Sequence, residues 1–135
     1  MKNFVILICF LISLSIEAQT ENKSDCTKVY LIRHAEKDRT DKTNSNPHLN
    51  SLGTKRSLKW KDFFKNINFD IIYSTNYHRT LETIKPFSEN GTELIIYNPS
   101  KIDYNEFVSN NKGKTILVVG HSNTIPTFTN RISNK

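Results

Sequence analysis

Short apolar runs of strand length alternate along this chain with longer amphipathic stretches. Four runs predict strands: Val29–Arg33, Phe69–Ser74, Glu93–Tyr97 and Thr115–Gly120. Apolar runs without strict alternation are typical of strands that are covered on both faces, as in parallel sheets. The first and fourth runs show this pattern most clearly.

The stretches between the runs predict helices. The first begins at Leu49–Gly53 with Asn50 or Ser51 as N-cap, and its predicted core face is Leu52, Trp60, Phe63, Phe64 and Ile67. The second has apolar positions at Tyr77, Leu81, Ile84 and Phe87 and ends at Asn90-Gly91. A short helix within 102–111 would bury Tyr104, Phe107 and Val108, and a last helix begins at Thr124.

Strands that alternate with helices predict an α/β fold, here a three-layer sandwich with a mostly parallel central sheet and helices on both faces. In such a sheet the carboxyl ends of the strands share one edge, where ligands bind. Arg33 and His34 follow the first strand, His78 and Arg79 follow the second, and His121 follows the fourth. The N-terminus of the helix after Asn123 adds partial positive charge. We therefore expect an anion-binding pocket at this edge.

Length and charge limit the number of domains and the class of binding partner. The chain has 135 residues, 36% of them hydrophobic, which fits one domain. Its formal net charge of +6 would allow a nucleic-acid partner, but the lysines are scattered without aromatic interleaving. We expect a solvated basic surface, with neither nucleic acid nor membrane as partner of the mature protein.

The N-terminus has the pattern of an export signal. Lys2 precedes an apolar run from Phe4 to Leu14, and a small residue, Ala18, precedes Gln19. We expect residues 1–18 to be a cleaved signal peptide, residues 19–27 a polar tail, and residues 28–135 the domain. The protein would then be periplasmic or secreted.

Several ordered motifs resemble the histidine phosphatase (phosphoglycerate mutase-like) superfamily. They are Arg33-His34-Ala35-Glu36, Leu49-Asn50-Ser51-Leu52-Gly53, Tyr73-Ser74-Thr75, Arg79-x-x-Glu82-Thr83-x-x-Pro86 and Val118-Val119-Gly120-His121-Ser122-Asn123. Together they cover about residues 28 to 126. The family normally continues with more helix and a further strand beyond the point corresponding to Lys135, so we expect a short member with reduced stability and uncertain activity.

The resemblance implies a phosphohydrolase that acts on a small phosphorylated substrate through a phosphohistidine intermediate. His34 would be the nucleophile, and Arg33, Arg79 and His121 would hold the phosphoryl oxygens, with Ser122 as a further phosphate-binding residue. Fixed arginine charge stabilises the phosphoryl-transfer transition state, so neither a metal nor another cofactor is expected.

Three residues are candidates for the acid that would protonate the leaving group. Glu36 lies close to His34 in sequence, and Asp103 and Glu106 lie in the region where the family usually carries this acid. Small family members can lack the acid and act on substrates with good leaving groups.

Three alternatives to a phosphatase remain. A phosphate-binding domain without turnover fits the short C-terminus, and a phosphomutase fits the same motifs but not export. A zinc site formed by His34, His78 and His121 is disfavoured because neighbouring arginines would repel the ion.

Overall fold

The computed structural model describes residues 26–88 and 91–133. The predicted signal peptide and most of the polar tail lie outside these residues. Four strands and four helices alternate in the described chain: β1 Lys28–Arg33, α1 Ser51–Phe63, β2 Ile71–Ser74, α2 His78–Ser88, β3 Glu93–Ile96, α3 Tyr104–Asn110, β4 Thr115–Gly120 and α4 Thr124–Ile132. In this part of the chain, no helix has the length and apolar character needed to cross a membrane.

The four strands form one parallel sheet in the order β1-β4-β2-β3. Because β4 lies between β1 and β2, its end is brought next to the ends of both. In register, Arg33 lies beside Gly120 and Ser74 lies beside Val119. The predicted α/β sandwich with a parallel sheet is confirmed.

Both faces of the sheet are covered by helices. Leu117 and Val119 of β4 pack on one face with aromatic and aliphatic side chains of α2 and the end of α1, among them Phe64, Ile84 and Phe87. Ile116 and Val118 pack on the other face with Tyr97, Phe107 and Phe128. Phe128 of α4 is 1% exposed, and the four β4 residues are fully buried. In the described chain β4 is therefore covered on both sides.

The two outer strands are less buried than their apolar sequences predict. Residues 29–31 of β1 are only half-buried, and Leu94 and Ile96 of β3 are 39% and 47% exposed. Tyr30 still packs on the core cluster of one face and Val29 and Leu31 on that of the other, so β1 is covered on both faces but is less buried than predicted. In the described sheet β1 and β3 occupy the edges, where one side of each strand has no neighbouring strand.

Helix α1 packs through small side chains, which corrects its predicted core face. Asn50, one of the two predicted N-cap residues, is the N-cap, and its side chain accepts a hydrogen bond from Gly53 N. Leu52 and Phe63 are 64% and 72% exposed, whereas Gly53 and Ser57 are buried. A side chain at residue 53 would collide with the Glu36 carbonyl.

The Ser57 hydroxyl lies 3.1 and 3.0 Å from the α2 carbonyls of Glu82 and Thr83. Close approach of α1 to the β1–α1 loop and to α2 requires small residues there, and this turns the larger ones outward. Trp60 stays half-buried and stacks on Phe64 at 5.5 Å, consistent with its predicted packing role. Tyr77, which precedes α2 by one residue, is also more exposed than predicted, at 39%.

Candidate active site

His34 lies where β1 ends, held by its backbone and by its ring. Its N–H donates to the carbonyl of Gly120 at 3.0 Å, which continues the β1–β4 pairing by one residue. Its ring Nδ1 lies 2.6 Å from the Ala35 carbonyl oxygen, which can only accept, so Nδ1 carries the proton. The lone pair of the neutral imidazole is then on Nε2. The ring is thus held in the tautomer that a nucleophile needs.

His121 follows β4 and faces His34. The two rings meet edge to face with centroids 5.4 Å apart. His121 Nε2 is hydrogen-bonded to Thr75 Oγ1 at 3.0 Å, and Thr75, at the end of β2, is 1% exposed. Gly120 lets this end of β4 pack closely, because a Cβ there would lie 2.8 Å from the Tyr97 hydroxyl.

Two arginines flank the histidine pair from different elements. Arg33 is the exposed last residue of β1, and Arg79 is half-buried in the first turn of α2. The Arg79 guanidinium lies 4.3 Å from the centroid of the Tyr77 ring and donates to the Ser45 carbonyl at 3.4 Å. Its buried Nε has no hydrogen-bond partner among the described residues. The Arg79 guanidinium thus contacts one ring face and makes one long hydrogen bond, and its other N–H groups can donate to an anion.

Burial and these cations lower the pKa of both imidazoles. Burial is the largest cause for His34; the bond to Ala35 opposes it, and Arg79, Arg33 and Lys37 lower the pKa further. Burial followed by the charge of Arg79 lowers the pKa of His121 to about 4. Both rings are therefore neutral at pH 7, and His34 is unprotonated at Nε2.

Two open cavities adjoin this pair. One, of about 820 Å³, is lined by His34 together with Arg33, Lys37, Arg39 and Arg56. The other, of about 750 Å³, is lined by His121 together with Tyr77, Arg79 and Thr124. The structure thus brings Arg33, His34, Arg79 and His121 to one sheet edge with access for a solute. Ser122 is exposed in the turn before α4 and lines neither cavity.

The three candidate acids lie in different surroundings. Glu36 shares the cavity of His34, but Arg56 Nε donates to both its carboxylate oxygens at 2.7 and 2.8 Å. That bond is the main cause that lowers the pKa of Glu36, so the group is a carboxylate at neutral pH.

Asp103 and Glu106 lie at the start of α3. The Asp103 carboxylate is the N-cap and accepts from the backbone of Asn105 and Glu106. Both residues line a separate cavity on the α3 side that contains neither His34 nor His121. Among the described residues, none of the three candidate acids is placed as a protonated carboxyl beside His34.

His48 is a residue whose surroundings sequence reasoning missed. It lies in a polar loop without any motif, yet its Nδ1 is hydrogen-bonded to Glu82 and its ring stacks on His78 with centroids 4.1 Å apart. His48 and Glu82 are 34 residues apart, and nothing in the local sequence signals the contact. Of the zinc ligands considered from the sequence, His34 and His121 lie together, but His78 pairs with His48 instead.

Known structures share this fold. SixA from Agrobacterium tumefaciens is 19% identical, with a TM-score of 0.62 over 76% of this chain and 73% of that protein. The protein histidine phosphatase SixA complexed with tungstate is 13% identical, with a TM-score of 0.63 over 76% and 74%. A phosphoserine phosphatase from Entamoeba histolytica is 22% identical, with a TM-score of 0.58 over 81% of both chains. At these identities the likeness establishes the fold.

Family membership follows from the sequence match. No curated protein matches the chain significantly in sequence. The model of the histidine phosphatase superfamily (branch 1), however, matches residues 29–99, which are 71 of 135 residues. That segment begins at the second residue of β1 and includes His34, α1, β2, α2 with Arg79, and β3. The chain belongs to the histidine phosphatase superfamily.

Proposed function

We propose that this protein is a metal-independent phosphohydrolase in which His34 attacks a phosphoryl group and carries it as phosphohistidine. The observation that carries the proposal is the His34 ring itself. Its Nδ1 proton is held by the Ala35 carbonyl, its pKa is lowered, and its remaining nitrogen is free to attack in a cavity lined by cations.

The cations fit the electrostatic demands of the reaction. Negative charge spreads over three phosphoryl oxygens in the transition state, and fixed donors on several sides stabilise it. Arg33 and Arg79 approach the histidine pair from β1 and α2, and both lower the pKa of His121. Neutral His121 can donate one ring N–H to a phosphoryl oxygen. Hydrolysis of the phosphohistidine by water then restores His34.

Two proteins with this fold support a phosphorylated substrate. One is a SixA bound to tungstate, an oxyanion of tetrahedral shape, and another is a phosphoserine phosphatase mutant in complex with phosphoserine. Since Glu36 is paired with Arg56 and the other two acids lie elsewhere, the proposed substrates are those with good leaving groups, which depart without a proton. Phosphoanhydride-like compounds and phosphohistidine are of this class.

A second candidate is a phosphate-binding domain without turnover. The specific observation in its favour is the Glu36–Arg56 pair, which withdraws the nearest carboxylate from acid catalysis. A phosphomutase is less favoured, although a phosphoglycerate mutase from Plasmodium falciparum has the same fold at a TM-score of 0.50.

Trapping of the intermediate distinguishes these functions. Rapid quench after mixing with a labelled acyl phosphate should give an acid-labile, base-stable label on His34. His34→Ala should lose the label and on the order of 10⁴-fold in turnover while keeping its circular dichroism spectrum. Binding of phosphate without any label or turnover would support the binding domain, and loss of activity to a chelator with recovery on adding zinc would contradict the metal-independent mechanism.

Export is part of the proposal. Residues 1–18 combine a basic start with an apolar run and a small residue at the expected cleavage point. Mass spectrometry of the protein recovered outside the cytoplasm should find a chain that begins at Gln19. An intact Met1 in the cytoplasmic fraction would contradict it.

A further inference from the structure

Three metal-binding side chains form a cluster outside the phosphoryl pocket. His48 comes from the loop between β1 and α1, and His78 and Glu82 come from α2. His78 and Glu82 are four residues apart, so they lie on one face of that helix. One ring nitrogen or carboxylate oxygen of each of the three lies within 4.8 Å of those of the other two.

Neighbouring groups orient the cluster. The Leu49 N–H donates to Glu82 Oε2 at 2.7 Å, which leaves Oε1 directed at His48. The backbone N–H of His78 donates to Asn46 Oδ1 at 2.9 Å, which fixes the start of α2 against the loop. Such supporting hydrogen bonds are what hold metal ligands in place in proteins.

We propose that His48, His78 and Glu82 bind one divalent transition-metal ion of the zinc class, with water in the fourth position. Two imidazole nitrogens and one carboxylate oxygen are a donor set that zinc accepts. Ligand atoms around a tetrahedral zinc ion lie about 3.3 Å apart, given bonds of about 2.0–2.1 Å. Rotation of the exposed His48 and His78 side chains closes the remaining gap. The ion would take the place of the hydrogen bond between His48 and Glu82.

Electrostatics favour this position over the histidine pair of the active site. At the cluster, the Glu82 carboxylate offers negative charge to an ion, and its Oε1 faces His48. His34 and His121 instead have Arg33, Arg79 and Lys37 as neighbours, all of which repel a cation. A zinc ion therefore finds a carboxylate at the cluster, and positive charge at the active site.

The ion would join the β1–α1 loop to α2. His48 lies at the end of this loop, and the loop also contacts α2 through Ser45, which accepts a bond from Arg79. The inference concerns binding of the ion and does not rest on the proposed phosphatase activity.

The first test is direct zinc binding by the purified chain, measured by competition with a chromophoric chelator. We expect one ion per chain. His48→Ala, His78→Ala and Glu82→Gln should each weaken binding at least about tenfold. Glu93→Gln, which removes the same charge at the other end of the sheet, should bind as the wild type does, and so should His34→Ala and Cys26→Ser. Wild-type protein without a bound ion, or equal binding by Glu82→Gln and the wild type, would overturn the proposal.

The second test measures the link between loop and helix. Arg39 and Lys42 are exposed in the β1–α1 loop and offer trypsin sites. Zinc should slow cleavage there several-fold in wild type and in Glu93→Gln, but not in Glu82→Gln. Equal protection of all three proteins by zinc would show that the ion acts elsewhere and would contradict the assignment.

Discussion

The rings of His34 and His121 face each other edge to face with centroids 5.4 Å apart, one after β1 and one after β4. This contact exists because β1 and β4 are neighbours in the sheet: Arg33 and Gly120 lie in register although they are 87 positions apart in the sequence. The order β1-β4-β2-β3 places β4 beside β1, so the last strand carries its histidine to the first.

Arg79 is expected to contribute to oxyanion affinity. Arg79→Ala should weaken competitive inhibition by vanadate roughly 10- to 100-fold, because a charged hydrogen bond is lost. Arg131→Ala, on the exposed side of α4, is the matched control and should leave the inhibition constant unchanged. Equal constants for wild type and Arg79→Ala would remove this side chain from the site.

The lowered pKa of His121 predicts a pH dependence of stability. Its pKa is about 4 in the folded protein, and an unfolded histidine titrates near 6.5, so the unfolded state binds more protons between these values. The free energy of unfolding should therefore fall as pH drops from about 6.5 to about 4. Urea unfolding should show a smaller fall in His121→Gln, and ring proton shifts should report the low pKa directly. Titration of His121 near 6.5 would contradict this prediction.

Glu36 is expected to act as a positioning residue and not as the acid. Its bidentate bond to Arg56 holds the start of the β1–α1 loop against α1. Wild-type kcat/KM should depend steeply on the pKa of the leaving group, and Glu36→Gln should keep the same slope even if its overall rate falls. A much steeper slope in the variant would identify Glu36 as the proton donor.

Phe128 is expected to be important for stability because it covers β4. It is 1% exposed and contacts the rings of Tyr97, Tyr104 and Phe107. Phe128→Ala should cost about 3–5 kcal/mol of unfolding free energy. Phe63→Ala removes the same ring from a site that is 72% exposed and should cost no more than about 1 kcal/mol. Similar unfolding midpoints for the two variants would show that α4 does not stabilise the sheet.

The sequence by itself determined the elements and the edge on which the site lies. The run Thr115–Gly120 is apolar on both faces, and the structure buries Ile116 to Val119 completely. Parallel strands place their carboxyl ends together, so the positions of Arg33, His34, Arg79 and His121 followed from where each stands relative to its strand.

The tertiary structure decided which side chains meet. The outward position of Leu52 and Phe63 depends on how closely α1 approaches α2. The spacing of apolar residues along the sequence does not specify the distance between these two helices. The pairs Glu36–Arg56 and His48–Glu82 join segments 20 and 34 residues apart. These pairs form because the β1–α1 loop runs across α1 and α2. Packing sets the path of this loop, and no local sequence pattern specifies it.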